Sequence, residues 1–255
     1  MKLKQTIFFL LIIGFVLSKK QEIRISGGTK ATEGQIPYAV SLNKDSENNH
    51  FCGGVLIHKS WLLTAAHCFV DDLGVVLPLS RVRFVIGRLN IPGKVGGEVV
   101  FGKIFTPVDT KDEPVIHPKY TSKSFDNDIA LVQLNTEINE TSTIKYAKIH
   151  EGNDIAVGMD VRVSGWGHTP QSLGKPSDDL MTAIVKIQSH QACKLNTNET
   201  DKYCAFSAAP NSKFFCEADS GGPLIWKSNN IDYLIGLVAH SSTVRVQKKL
   251  NFFFR

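Results

Sequence analysis

Three short stretches, far apart along the chain, carry side chains that could act together in nucleophilic catalysis. Ser220 stands between an acid and two glycines, a pattern that on its own is typical of a surface turn. His67 follows an apolar run, and Asp128 precedes another. A hydroxyl is a poor nucleophile until a base takes its proton, and the base works best when a third group fixes its tautomer. The sequence therefore offers Ser220 as nucleophile, His67 as base and Asp128 as the orienting acid.

The charge of the chain does not point to a nucleic-acid or membrane partner. The 255 residues carry a formal net charge of +5. Five of the 29 basic residues, but only one of the 24 acidic residues, precede Ile25. Without this leader the chain is close to neutral, so its charge predicts neither kind of partner. A chain of this length has room for one large domain or two small ones, with a substantial core, and all-β barrels of this length commonly form one unit.

The first 18 residues are predicted to be a secretory signal peptide. Lys2 and Lys4 form a basic end, and residues 7–17 form an apolar run. This run is too short to cross a hydrocarbon layer of about 30 Å as a helix, so a membrane anchor is the weaker alternative. Secretion implies an oxidising compartment in which disulfides are expected. Because the chain has five cysteines, they cannot all pair within it.

Short β-strand patterns run through the chain without helical periodicity. Residues 38–63 are rich in strand-forming side chains, and the polar run 43–50 within them predicts a hairpin loop. Further strands are predicted at 81–86, 98–105, 160–165, 181–188, 203–206, 223–226 and 231–238. Strands at this spacing predict antiparallel barrels, with a second half that begins after about residue 140.

Six motifs, in chain order, resemble those of the chymotrypsin-fold serine proteases of the trypsin family. They are Arg-Ile-Ser-Gly-Gly at 24–28, Phe-Cys-Gly-Gly at 51–54, Thr-Ala-Ala-His-Cys at 64–68, Asn-Asp-Ile-Ala-Leu at 127–131, Ser-Gly-Trp-Gly at 164–167 and Asp-Ser-Gly-Gly-Pro at 219–223. The resemblance implies an all-β fold of two packed antiparallel six-stranded barrels. His67 and Asp128 would lie on the first barrel and Ser220 on the second, with catalysis in the cleft between them.

The resemblance also implies how the chain is activated and how it stabilises an oxyanion. Residues 19–24 would be a short activation peptide, and cleavage after Arg24 would leave residues 25–255 as the protease domain. The new α-ammonium of Ile25 would then pair with Asp219. The backbone N–H groups of Ala218 and Ser220 would form the oxyanion hole.

Two disulfides are implied by the same resemblance. One joins Cys52 to Cys68 and the other joins Cys193 to Cys204, which leaves Cys216 unpaired. We expect no cofactor and no metal, because the chain offers no carboxylate set at a position where calcium binding could be argued. His117 is interpreted as structural. Asn139 and Asn198 fit the glycosylation acceptor pattern.

Several positions depart from the family pattern. Ala218 stands where the family has Gly, and its Cβ would restrict the torsions that aim the N–H at the oxyanion. Phe214 falls at the floor of the specificity pocket, where trypsins have Asp, so cleavage after basic residues is not expected. Ala239, His240 and Ser241 replace the Ser-Trp-Gly of the substrate-binding strand, with Ser241 narrowing the pocket mouth.

The end of the chain also differs from the family. The segment that follows Ser220 is shorter than in family members, and no C-terminal helix is recognisable. We therefore expect a second barrel that is incomplete at its C-terminal end, although residues 243–247 alternate enough to replace part of the missing strand. One hypothesis is that the chain is a truncated or mis-spliced variant of a complete protease.

Three functional interpretations follow from the sequence. The first is a secreted serine endopeptidase, made as a zymogen, that acts on polypeptide substrates as a monomer and is open to protein protease inhibitors. The second is a protease-like protein with impaired or no catalysis that serves as a binding or regulatory module. The third is a chain too incomplete to fold stably.

Overall fold

Strands make up nearly all the regular structure of the residues that can be described. A computed structural model describes residues 28–45, 49–91, 104–105, 113–168, 175–193, 202–206, 218–240 and 245–247. These residues form fifteen strands and three 3₁₀ helices of one turn each. Within the same ranges, no helix is long and apolar enough to span a membrane.

The first sheet contains seven of the strands. Strand β1 (Thr29–Lys30), the first in the described part of the chain, belongs to the second sheet. The first sheet consists of β2 (Ala39–Lys44), β3 (His50–His58), β4 (Trp61–Thr64), β5 (Val82–Ile86), β6 (Ile104–Phe105), β7 (Val115–Ile116) and β8 (Ala130–Gln133). Its strands follow the order β6-β5-β2-β3-β4-β8-β7. The hairpin β2–β3 forms at the predicted place, but its strands extend into the polar run predicted as a loop, because Asn43 and His50 are paired.

The second sheet has eight strands, six of which form a closed ring. Besides β1 it contains β9 (Lys148–Ile149), β10 (Asp160–Gly165), β11 (Met181–Gln188), β12 (Lys202–Phe206), β13 (Pro223–Ser228), β14 (Ile231–His240) and β15 (Arg245–Gln247). The ring follows the order β11-β10-β13-β14-β15-β12 and returns to β11. Strand β1 adds to β11, and β9 adds to β14 in parallel. The all-β double-barrel prediction is therefore confirmed.

The ring of the second sheet is closed by a strand of only three residues. Strand β15 pairs with β14 on one side and with β12 on the other. It lies within residues 243–247, from which the sequence predicted a partial replacement strand. The pairing around the second barrel is thus continuous, and its C-terminal side depends on this short strand.

Buried side chains fill each barrel and join the two. One cluster lies inside the second barrel and includes Val163 and Leu224. Another lies inside the first barrel and includes Leu42 and Phe84. The cluster that joins the barrels draws on both sheets and contains Val55, Leu63, Leu131, Trp166, Leu180, Leu234 and Leu237. Burial of this shared apolar surface holds the two barrels against each other.

Each of two disulfides joins the end of a 3₁₀ helix to a strand. Cys52 of β3 is bonded to Cys68, which ends the 3₁₀ helix Ala66–Cys68. Cys193, at the end of the 3₁₀ helix His190–Cys193, is bonded to Cys204 of β12. Both are the pairs that the family resemblance implied.

Removing the first disulfide is expected to destabilise the fold. The bond spans a sequence separation of 16 residues, and a loop of that length stabilises by about 3 kcal/mol through the unfolded chain. We expect the double variant Cys52→Ala/Cys68→Ala to lose about that much free energy of unfolding in urea. An unchanged urea midpoint would contradict this role for the disulfide.

Candidate active site

The register of two neighbouring strands brings His67 and Asp128 together. Strands β4 and β8 are antiparallel, with Thr64 opposite Ala130. His67 comes three residues after Thr64, and Asp128 comes two residues before Ala130. Because the strands run in opposite directions, both residues emerge at the same end of the pair.

Asp128 is fully buried and makes two hydrogen bonds to His67. Its Oδ2 lies 2.7 Å from the ring Nδ1 of His67. Its Oδ1 accepts the backbone N–H of His67 at 2.9 Å. In a neutral imidazole, a proton on Nδ1 leaves Nε2 as a proton acceptor. The carboxylate therefore fixes both the orientation and the tautomer that a general base requires.

Ser220 lies in a tight turn held by both barrels. Its carbonyl accepts the N–H of Gly53, on β3 of the first barrel, at 2.7 Å. In the second barrel, the N–H of Gly221 donates to the carbonyl of Val238 at 2.7 Å. The N–H of Val238 donates to the carbonyl of Gly222 at 2.9 Å. The position of the serine is thus set by backbone hydrogen bonds from β3 and β14.

The serine turn approaches the first barrel so closely that glycine is required on both sides of the contact. A Cβ on Gly53 would lie 2.9 Å from the Cα and N of Gly222. A Cβ on Gly221 would collide with the Thr64 hydroxyl and the Gly53 carbonyl, and Gly221 also has a φ of +80°. These glycines permit backbone-to-backbone packing that no other residue allows.

The serine turn borders the segment that carries His67. The Ser220 carbonyl oxygen lies 3.8 Å from the Cys68 sulfur. A Cβ on Gly221 would lie 3.1 Å from the backbone N of Ala65. Within the described part of the chain, no hydrogen bond joins the Ser220 hydroxyl to His67. The three predicted segments therefore meet, with the imidazole–carboxylate contact formed.

Comparison with known proteins gives the family to which the chain belongs. The family model described as Trypsin matches residues 25–255. The chain belongs to the trypsin family of chymotrypsin-fold serine proteases. It is 31% identical to a trypsin from Xenopus laevis over 219 residues, which cover 85% of this chain and 81% of that protein. It is 28% identical to serine protease 1 from Canis lupus familiaris over 226 residues, covering 87% of this chain and 83% of that protein.

A longer protein also resembles this chain. Coagulation factor XI from Bos taurus is 31% identical over 229 residues, which cover 88% of this chain but 35% of that protein. Only a part of the larger protein therefore corresponds to the chain.

Asp219, beside the serine, is buried against the Ser-Gly-Trp-Gly motif. Its Oδ1 accepts the N–H of Gly167 at 2.8 Å. A Cβ on Gly165 or on Gly167 would collide with the Asp219 carboxylate. The two glycines of the motif thus make room for a buried acid, which explains their spacing in physical terms.

His50 is a site residue that the sequence did not reveal. It belongs to the run predicted as a polar loop, yet the structure places it at the start of β3 with 4% of its surface exposed. Burial lowers its pKa from 6.5 to about 4, so the ring is neutral near pH 7. Its Nε2 lies 2.9 Å from the Ala218 carbonyl, and its Nδ1 lies 2.7 Å from the Ser41 hydroxyl. These contacts assign the proton to Nε2, which donates to Ala218.

Ala218 has a left-handed backbone, with a φ of +73°. This conformation suits glycine and strains a residue with a Cβ. Ala218 stands where the family pattern has glycine, so the departure places a Cβ on a left-handed backbone. The carbonyl of Ala218 itself is held by His50, so the strained residue is fixed by a buried donor.

Only some of the remaining predicted site residues lie within the described part of the chain. Ala239 is buried in β14, and His240 ends that strand. Arg24, Ile25, Phe214, Cys216, Asn198 and Ser241 lie outside the described residues, as does the signal peptide. Asn139 is exposed. His117 is buried, and its Nδ1 accepts the backbone N–H of Lys119 at 3.1 Å.

One group of potential metal ligands lies at the site. The donor atoms of Cys52, His67 and Cys68 all lie within 4.8 Å of one another. The two sulfurs are bonded to each other, so neither can supply the thiolate that a metal would need. This group therefore does not constitute a metal centre.

The buried His50 predicts a loss of stability in mild acid. The unfolded chain takes up a proton at His50 as the pH falls through about 6.5, whereas the folded chain resists until about pH 4. Stability is therefore lost as the pH falls across this window, by about 3 kcal/mol in total. We expect urea unfolding between pH 7 and pH 4 to show a steeper decline for the parent than for His50→Gln. Equal slopes would contradict the lowered pKa of the buried His50.

Relieving the strain at Ala218 is expected to stabilise the protein. We expect Ala218→Gly to raise the free energy of unfolding by about 1 kcal/mol, because glycine adopts a positive φ without a Cβ clash. The control is Ala192→Gly, at an exposed alanine that is not among the positive-φ residues. Its urea midpoint should fall. A midpoint that falls in both variants would show that the left-handed backbone carries no strain.

Proposed function

We propose that this chain is a secreted serine endopeptidase that hydrolyses peptide bonds through an acyl-enzyme and is made as a zymogen cleaved after Arg24. The observation that carries the proposal is the contact of 2.7 Å between Asp128 Oδ2 and His67 Nδ1, beside the turn of Ser220. In this reaction the Ser220 hydroxyl attacks the peptide carbonyl while His67 Nε2 takes its proton. The imidazolium, stabilised by Asp128, then protonates the leaving amine, and water releases the acyl group by the same route.

The contact between serine and histidine closes during the reaction. Hydrogen bonds between catalytic groups are often long in an unliganded site and tighten when substrate binds. Ser220 is placed by its carbonyl bond to Gly53, and we propose that its hydroxyl turns toward His67 when substrate binds. The buried Asp128 keeps the imidazole in place for this approach.

The backbone N–H groups of Ala218 and Ser220 are proposed to stabilise the oxyanion. Within the described residues, neither N–H donates a hydrogen bond to another protein group. The loss of one such donor typically lowers the rate by about a hundredfold to a thousandfold. The strained φ of Ala218 therefore bears directly on how much activity the chain has.

Activation by a new N-terminus at Ile25 is supported by where the chain enters the fold. Strand β1 pairs with β11, which pairs with β10, so Thr29 lies two strands from Ser164. At about 4.8 Å per strand this separation is about 10 Å. The four residues from Ile25 to Gly28 can span about 13 Å when extended. The α-ammonium of Ile25 is thus within reach of Asp219, which packs against Gly165.

The proposed substrates are polypeptides without a basic residue at the cleavage point. Phe214 cannot pair with Lys or Arg, because its side chain carries no charge. Ala239 forms the buried end of the adjoining strand, next to His240. We propose that the enzyme acts as a monomer that protein protease inhibitors can block, and that the signal peptide directs its secretion. The two disulfides support an oxidising compartment.

A second candidate function follows from one observation. The left-handed backbone of Ala218 places a Cβ where the family has none. If this strain turns the oxyanion donor away, the chain would bind proteins without cleaving them. The experiment that tests the proposed function separates these two cases.

Activated protein is expected to react with an organophosphonate at Ser220. Residues 20–24 would be replaced by the recognition sequence of a site-specific protease, so that cutting frees Ile25. We expect labelling of Ser220 only after the cut, because the new terminus orders the oxyanion hole. Mass spectrometry of the labelled peptide gives the site, and Ser220→Ala and His67→Ala are the controls. Folded, cut protein that remains unlabelled would favour the binding function.

A further inference from the structure

The loop that delivers Asp128 to the site contains two left-handed residues. Phe125 and Asn127 each have a φ of +53°. Such values are uncommon outside glycine, and they persist only where surrounding contacts hold them. The short stretch between Phe125 and Asp128 is therefore a strained segment whose shape must be maintained by its neighbours.

Part of that support comes from the same barrel. The backbone carbonyl of Asp126 accepts the N–H of Thr121 at 3.2 Å. The side-chain Oδ2 of Asp126 accepts a hydrogen bond from the Ser124 hydroxyl at 2.5 Å. The side-chain amide of Asn127 donates to the carbonyl of Lys119 at 2.9 Å. These contacts hold the loop against itself but do not fix it relative to the second barrel.

Support from the second barrel comes from Lys202. Its Nζ lies 2.6 Å from Oδ1 of Asp126, a residue 76 positions away. The side chain of Lys202 is 3% exposed and that of Asp126 is 46% exposed. An ammonium removed from water needs a charged or hydrogen-bonding partner, so separating this pair costs more than separating an ordinary surface ion pair.

Lys202 is itself held firmly. It begins β12, where it pairs with Gln247 of β15. Its carbonyl lies 3.0 Å from the Nε2 of His190. The disulfide at Cys204 holds the same strand two residues later. The ammonium is therefore a fixed point of the second barrel that reaches across to the first.

Both ends of the strained segment touch His67. The Phe125 ring meets the imidazole edge to face, with centroids 5.6 Å apart. Asp128 bonds to the Nδ1 of His67. A shift of the segment would therefore move the base from two sides at once.

We propose that Lys202 is a positioning residue, whose ion pair with Asp126 holds the Phe125–Asp128 segment against His67 from the opposite barrel. The proposal rests on the proposed function in assigning a base role to His67. It adds that the geometry of the base depends on a charge from the barrel that carries Ser220.

The test removes the ammonium and keeps the shape of the side chain. In Lys202→Met, the half-exposed Asp126 can be hydrated, so the barrel should still fold. We expect kcat to fall about tenfold to a hundredfold, the usual effect of a misplaced catalytic group. KM for a short substrate should change by less than about threefold, because Lys202 is not among the residues proposed to line the substrate pocket.

A spectroscopic readout tests the same inference without turnover. The proton between His67 Nδ1 and Asp128 can be followed by NMR as a downfield resonance in a Ser220→Ala background. In Lys202→Met this resonance should move upfield and exchange faster with water. Lys202→Arg, which retains the charge, should restore much of the parent signal.

A matched control separates positioning from general loss of charge. Lys186 pairs with Asp160 at 2.6 Å on the second barrel, and both side chains are more than half exposed. Lys186→Met should leave kcat and the resonance unchanged. The double variant Lys202→Met/Asp126→Asn removes both charges, so no charge is left without its partner. It should show the same loss as Lys202→Met.

The outcomes distinguish this inference from the proposed function. If Lys202→Met matches Lys186→Met in kcat and in the Nδ1 resonance, the positioning role is refuted. A lower kcat with an unchanged resonance also refutes it, because His67 would not have moved. If the activated parent does not hydrolyse peptides at all, the proposed function fails, while the comparison of resonances still decides the role of Lys202.

Discussion

The hydrogen bond from the Gly53 N–H to the Ser220 carbonyl is the contact on which the site depends. It joins a strand of the first barrel to the serine turn of the second through backbone atoms alone. Gly53 and Gly222 allow the two backbones to approach, since a Cβ on Gly53 would lie 2.9 Å from its neighbour. The serine is therefore placed relative to His67 by the packing of the barrels and not only by its own loop.

Buried polar groups on both sides of the serine complete this constraint. Asp219 accepts the N–H of Gly167, and His50 donates to the carbonyl of Ala218. A buried polar group that loses its partner costs about 1 to 3 kcal/mol, so each contact resists movement of the turn. The serine lies between two such contacts, which keeps its backbone in one conformation.

How much the sequence predicted depends on how far apart the interacting residues lie. The hairpin β2–β3 and most other strands were predictable, because alternation and turn residues are local patterns. The disulfides and the approach of His67 to Asp128 followed from family motifs. His50 and Lys202 were missed, because their partners lie 168 and 76 positions away and no local pattern marks a polar residue as buried. His50 even lies in a run whose polarity predicted an exposed loop.

The two barrels support each other's strained segments in a reciprocal way. Ala218, in the serine turn of the second barrel, has a φ of +73°, and its carbonyl is held by His50 from the first. Phe125 and Asn127, in the acid loop of the first barrel, have φ values of +53°, and Asp126 between them is held by Lys202 from the second. Separating the barrels would release both strained segments at once. The geometry of the cleft is therefore a property of the packed pair, because each half lacks contacts that the other supplies.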